Sequence, residues 1–174
     1  MKRTVFLGTY TNGESKGIYS CRFDDATGML SGFRLAAETP SPSFLALHPN
    51  GKFLYAVNET NDFSGEASGS VTAYRITDPS TGALEKLNTV SSHGAHPCHL
   101  VLTPESDAVI IANYTGSTVT TIEIREDGSL GQTLNRILHK GSSVLKPRQA
   151  EPHPHAVNLD PANRFVFISD LGMD

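Results

Sequence analysis

The stretch Pro42–Glu59, PSFLALHPNGKFLYAVNE, returns twice further along the chain, and that recurrence decides the fold. Its copies are Pro97–Tyr114, PCHLVLTPESDAVIIANY, and Pro154–Leu171, PHAVNLDPANRFVFISDL, so the starts lie 55 and then 57 residues apart. Each copy opens on a proline, runs through apolar or alternating positions to a leucine, and meets a second proline seven residues after the first. A short polar turn and a second, strongly apolar run follow. Self-similarity at a near-constant spacing marks an array of like structural units.

A second motif is interleaved with the first. Gly17–Leu30 (GIYSCRFDDATGML), Ser70–Leu84 (SVTAYRITDPSTGAL) and Thr118–Leu130 (TVTTIEIREDGSL) alternate apolar with polar residues, then turn at Gly28–Leu30, Gly82–Leu84 and Gly128–Leu130. Period-two alternation rich in β-branched and aromatic residues means strands, and glycine-bearing turns between them mean hairpins. Apolar residues nowhere keep helical spacing over three turns. The unit therefore has four strands: A (44–47), B (53–57), C (71–76) and D (84–90).

An all-β chain of such units predicts a β-propeller of four-stranded antiparallel blades, which stacks its sheets radially and leaves only short edges. A β-sandwich is the alternative, but it does not require the repeat. Residues 1–174 read as the N-terminal part of a single propeller domain, with repeats beginning near 42, 97 and 154. An N-terminal strand set, two full repeats and a third that stops after strand B make about three blades. Closing a ring takes at least about four, so further blades or a second half-ring are expected to complete it.

Composition narrows the function. With 38% hydrophobic and 18% charged residues the chain suits a globular domain. A formal charge of -4 and the lack of a Lys/Arg stripe argue against nucleic acid as a partner. The opening MKRTVFLGTYTNG has too short an apolar run for a signal peptide, and no stretch approaches a membrane span. The two cysteines, Cys21 and Cys98, form no CxxC pair and suggest reduced thiols in the cytoplasm. The sequons at Asn58 and Asn113 then read as chance matches.

In a meandering blade the A–B and C–D hairpins emerge on one face, the B–C loops and D-to-A connections on the other. The first set, such as HPNG, DPAN and REDG, is short and generic. The second carries SSHGAHPCH, with His93, His96 and His99, and KGSSVLKPRQAEPHPH, with Lys146, Arg148, Glu151, His153 and His155. Functional residues concentrate on loops held by a rigid scaffold, so this face is the candidate site.

GTYTNGESKGIY, HPNGKFLYAVNE, GAHPCH and EPHPHAVNLDPANRFVFISDLGMD resemble the seven-bladed propeller lactonases, the 6-phosphogluconolactonase family, which is also similar to the 3-carboxymuconate cyclases. The likeness runs through the whole chain and corresponds to about the first half of such a protein. It implies hydrolysis of a sugar lactone in carbohydrate metabolism, without a metal or other cofactor, at a site using histidine, arginine and glutamate. Carried onto this chain, those residues are His99, Arg148, Glu151, His153 and His155.

Lactone hydrolysis needs an activated water and donors for the developing oxyanion. Glu151 is the expected base, in a cleft that raises its pKa; the alternative is a carboxylate tying down the loop. His155 and His153 are expected to polarise the carbonyl or orient the base, unless they only cap a strand. Arg148 suits a phosphate or carboxylate on the substrate. His96, Tyr10, Asn58, Glu59, Asn113 and Tyr114 are candidate contacts to sugar hydroxyls. GESKG (13–17) matches a nucleophile-elbow pattern but precedes a strand, not a helix. The pairs His96/His99 and His153/His155 keep zinc as a minor alternative. A cycloisomerase and a non-catalytic binding propeller remain the rival readings, because fold does not fix function.

Overall fold

A computed structural model describes the whole chain, Met1–Asp174. It has thirteen strands in four antiparallel sheets. The first sheet is β1 (Lys2–Leu7), β2 (Gly17–Asp24) and β3 (Leu30–Glu38). The second is β4 (Leu45–Leu47), β5 (Phe53–Asn58), β6 (Ser70–Asp78) and β7 (Ala83–Ser91). The third is β8 (Pro97–Leu102), β9 (Ala108–Asn113), β10 (Thr118–Ile124) and β11 (Leu130–Leu138). The fourth pairs β12 (Pro154–Leu159) with β13 (Val166–Asp170). Strands A to D of the repeat are β4 to β7, and the expected bounds hold to within two residues. The first sheet aligns with strands B, C and D, and the fourth with A and B.

The apolar B strands explain why the sheets stack. Successive strand residues point to opposite faces, and the B strands of the two middle sheets, β5 and β9, are buried on both. Leu54 and Ala56 on β5 join Ile18 of the first sheet, while Tyr55 and Val57 join Leu100, Val109 and Ile111 of the third. In β9 the division repeats: Val109 and Ile111 face the second sheet, and Ile110 and Ala112 meet Val157 of the fourth. A strand covered on both sides has no polar face to alternate, so it reads as a continuous apolar run. Each such burial is worth about 1.5–3 kcal/mol per large side chain.

Blades are also tied at their rims. Tyr55 donates its phenolic hydrogen to the Gly128 carbonyl (3.1 Å), and Asn88 bonds both the N–H and the C=O of Leu130 (2.9 and 2.8 Å). Gly82, at φ 72°, brings the turn between β6 and β7 against Thr4, Phe6 and Ser20 of the first sheet, where a Cβ would collide. The terminal sheets leave apolar side chains in the open: Phe33 is 58% exposed and Phe167 60%. No helix of the chain is long and apolar enough to cross a membrane.

Candidate active site at the channel mouth

The ends of the B strands build the site through one two-residue step. In the repeat, Thr9, Asn58, Asn113 and Asp170 share a column, and Tyr10, Glu59, Tyr114 and Leu171 share the next. From Asn58 onward, the first column points toward the preceding blade and ties down the connection arriving from it. Asn58 is buried, donates to Thr39 Oγ1 (2.8 Å) and Pro40 O (2.7 Å), and accepts from Thr72 Oγ1 (2.6 Å) and Ser70 Oγ (3.3 Å). Asn113 is buried too, donating to Ser92 O, Thr118 Oγ1 and Thr120 Oγ1 at 3.0–3.2 Å. Asp170 accepts the His153 and Gly172 N–H groups (2.7 and 2.9 Å) and pairs with His139 Nδ1 at 2.6 Å. Amides stand where the neighbours are carbonyls, a carboxylate where they are N–H groups. Asn58 and Asn113, expected on the sugar, are struts between blades.

The second column turns toward the axis. Tyr10, Glu59 and Tyr114 line a polar pocket of about 230 Å³ together with Ser43, Cys98, Arg148 and His155. Strand ends of three sheets and the connection into β12 thus meet at one mouth. Tyr10 donates its phenolic hydrogen to Glu59 Oε2 (2.9 Å). Burial, and then the Glu59 carboxylate, raise the Tyr10 phenol above its ordinary 10.0. The half-buried Cys98 thiol points at the carbonyls of Ala112, Pro154 and His155, and burial, then Glu59, push it up to about 12. Neither group is therefore an activated nucleophile at neutral pH. The buried Ser43 hydroxyl has no hydrogen-bond partner.

Across the pocket, Arg148 is exposed and makes no ion pair or hydrogen bond, which leaves its planar fork free for an anion. Tyr114 is sandwiched by histidines: His153 stacks on it (4.4 Å, 9°) and His155 meets it edge-on (5.6 Å, 86°). His153 Nδ1 donates to the Tyr114 carbonyl (3.2 Å), so its ring holds the wall and does not line the pocket.

Three expected residues lie elsewhere. Glu151, expected as the base, is exposed, lies outside the pocket, and its carboxylate makes no hydrogen bond. The loop is instead organised by Gln149, only 6% exposed, which bonds Leu145 N (2.8 Å) and Leu171 O (3.1 Å). His99 lies against Phe44 (4.0 Å between rings) and accepts the Val157 N–H on Nδ1 (3.3 Å). Burial, and then His155, lower its pKa below 6.5, so it packs as a neutral ring between blades. His96 bonds Thr115 Oγ1 (2.9 Å) at φ 53°, as a turn residue. A larger hollow of about 520 Å³ has His99 in its wall, with Phe44, Leu47, Leu102 and Val157 among its eight hydrophobic lining residues. It offers few groups for chemistry, so the smaller polar pocket is the better site. No three His, Cys, Asp or Glu side chains gather as a metal site would require.

Sequence reading missed Ser43 and Cys98 in the pocket, and Asp170 and Gln149 behind it. Asp170 was accessible, because it falls in the repeat column of Asn58 and Asn113.

The fold is that of a β-propeller, and a polar pocket opens at one mouth of its axis. The family model described as "Lactonase, 7-bladed beta-propeller" matches residues 4–174, and the chain belongs to that family. It is 34% identical over 169 residues to a 6-phosphogluconolactonase of Bacillus subtilis, covering 97% of this chain and 46% of that protein. A 6-phosphogluconolactonase of Formosa agariphila is 28% identical, with 98% and 47% covered. The structure of a periplasmic gluconolactonase of Pseudomonas aeruginosa superimposes with a TM-score of 0.91 at 34% identity, covering 100% of this chain and 48% of that one. The chain thus spans just under half the length of these relatives.

Proposed function

We propose that this chain is the N-terminal part of one propeller domain that hydrolyses a sugar lactone, 6-phosphogluconolactone or a related aldonolactone. The observation that carries this reading is the polar pocket, where two phenols, a hydroxyl, a carboxylate, an imidazole and a free guanidinium converge at the mouth of a propeller. The relatives' names support the same chemistry. Tyr10 and Glu59 offer hydrogen bonds to the substrate or its attacking water, and Arg148 receives a substrate anion. His155, beside the Tyr114 ring, takes the role of donor to the carbonyl oxygen as it gains charge. No cofactor enters this scheme. The place of action we propose is the cytoplasm, in glucose metabolism, which the two unpaired thiols support.

The test is the rate of opening of δ-gluconolactone and its 6-phosphate by the protein as its full reading frame encodes it, corrected for spontaneous hydrolysis. Saturable turnover that falls at least tenfold in kcat/KM for the phosphorylated lactone in Arg148→Ala supports the reading. Hydrolysis at the spontaneous rate for both lactones contradicts it.

A further inference from the structure

We infer that Glu59, clamped by Tyr10, is the carboxylate that activates water in this pocket. The inference rests on the lactone-hydrolysis reading and adds the group that carries the proton. Glu59 is the only carboxylate among the pocket's seven lining residues, and it is half-buried there. The Tyr10 hydroxyl, 2.9 Å from Oε2, fixes one oxygen and leaves the other free. A base held by a second group fits a base–orienter arrangement. His155 has no hydrogen-bond partner that would aim its ring in the same way.

The step balances without a co-reactant. Glu59 takes a proton from the water as its oxygen bonds to the lactone carbonyl carbon and the C=O electron pair moves onto oxygen. When the tetrahedral species collapses, the ring C–O bond breaks. The ring oxygen leaves with that electron pair and recovers the proton from the Glu59 acid. Lactone plus water gives one hydroxy acid, and Glu59 returns as the carboxylate. Cys98 and Tyr10, whose pKa values burial raises, are poor nucleophiles beside this water.

The experiment compares the wild-type full-length protein with Glu59→Gln, Glu59→Ala, Tyr10→Phe, Glu151→Gln and the control Glu66→Gln, an exposed acid of the β5–β6 loop. Losing a general base costs about 10²–10⁴-fold in rate. Glu59→Gln is expected to lose at least about a hundredfold in kcat with KM within about threefold. Tyr10→Phe should lose about tenfold by freeing the carboxylate to rotate. In Glu59→Ala, added formate should restore turnover in proportion to its concentration, which a structural role would not allow. Glu66→Gln should match wild type. Wild-type kcat in Glu59→Gln, failure of formate to rescue Glu59→Ala, or loss of activity in Glu151→Gln alone would each overturn the assignment while leaving the lactonase reading in place. A wild-type protein that opens no lactone overturns both.

Discussion

Asn58→Ala separates a strut from a substrate contact. The side chain makes four hydrogen bonds, two given and two received, inside a volume closed to solvent. A typical internal hydrogen bond contributes about 0.5–1.5 kcal/mol net, and more when its loss strands a buried partner. Thr72 keeps a second partner in Thr89 (3.0 Å), and the Ser70 bond is long, so about three effective bonds are lost. At about 1 kcal/mol each, the loss is roughly 3 kcal/mol. Urea unfolding of the full-length protein should show a lower midpoint with an unchanged slope. KM for the lactone should stay within about twofold, because Asn58 is not part of the pocket. Asn58→Asp should do no better, since a carboxylate oxygen would replace the N–H that now meets Pro40 O. A variant within about 0.5 kcal/mol of wild type but with a tenfold higher KM would refute the strut and return Asn58 to the substrate.

Other perturbations follow from the same geometry. Asp78, the last residue of β6, is drawn from an ordinary 3.8 to about 2 by the Ser80 and Thr81 hydroxyls and the Ser80 N–H. A depressed carboxylate stabilises the fold above its unfolded pKa and loses that effect as pH falls through the folded one. The urea-midpoint gap between wild type and Asp78→Ala should therefore hold above about pH 4 and close toward about pH 2. Cys98, with its thiol near 12, should react with iodoacetamide at pH 8 at least about a hundredfold more slowly than in the unfolded chain, read by peptide mapping. Comparable rates would contradict its packing. A Cβ on Gly172 would overlap the Glu151 carbonyl oxygen, so Gly172→Ala should displace the Arg148–His155 connection and lower kcat/KM at least about tenfold. Unchanged kinetics would show that this connection does not set the site.

The fold was legible because its defining signal repeats. Three prolines, three apolar B strands and three Gly-x-Leu turns each occupy equivalent places, so one misread residue changes little. The mouth of the channel was legible as a region for the same reason, since strand order alone sorts the loops. The roles of individual residues were less so. Asn58 and Glu59 are neighbours in sequence, yet one faces the adjoining blade and the other the axis, a division set by the pleat at the strand end. Glu151 sits in the connection 139–153, which is longer than its counterparts 39–44 and 92–96. Its exposure follows from how Gln149 folds the loop, and no periodicity encodes that. Cys98 and Ser43 carry no sequence mark at all: the pocket reaches them because Pro42 and Pro97 start adjacent innermost strands.

The most direct test of the account is a crystal structure of the full-length protein with gluconate or 6-phosphogluconate, the hydrolysis product. The account predicts the product bound between Tyr10, Glu59, Tyr114 and His155, with its phosphate or carboxylate on Arg148. Product bound away from these side chains, whether in the apolar hollow beside Phe44 and Val157 or on another face of the ring, would contradict it.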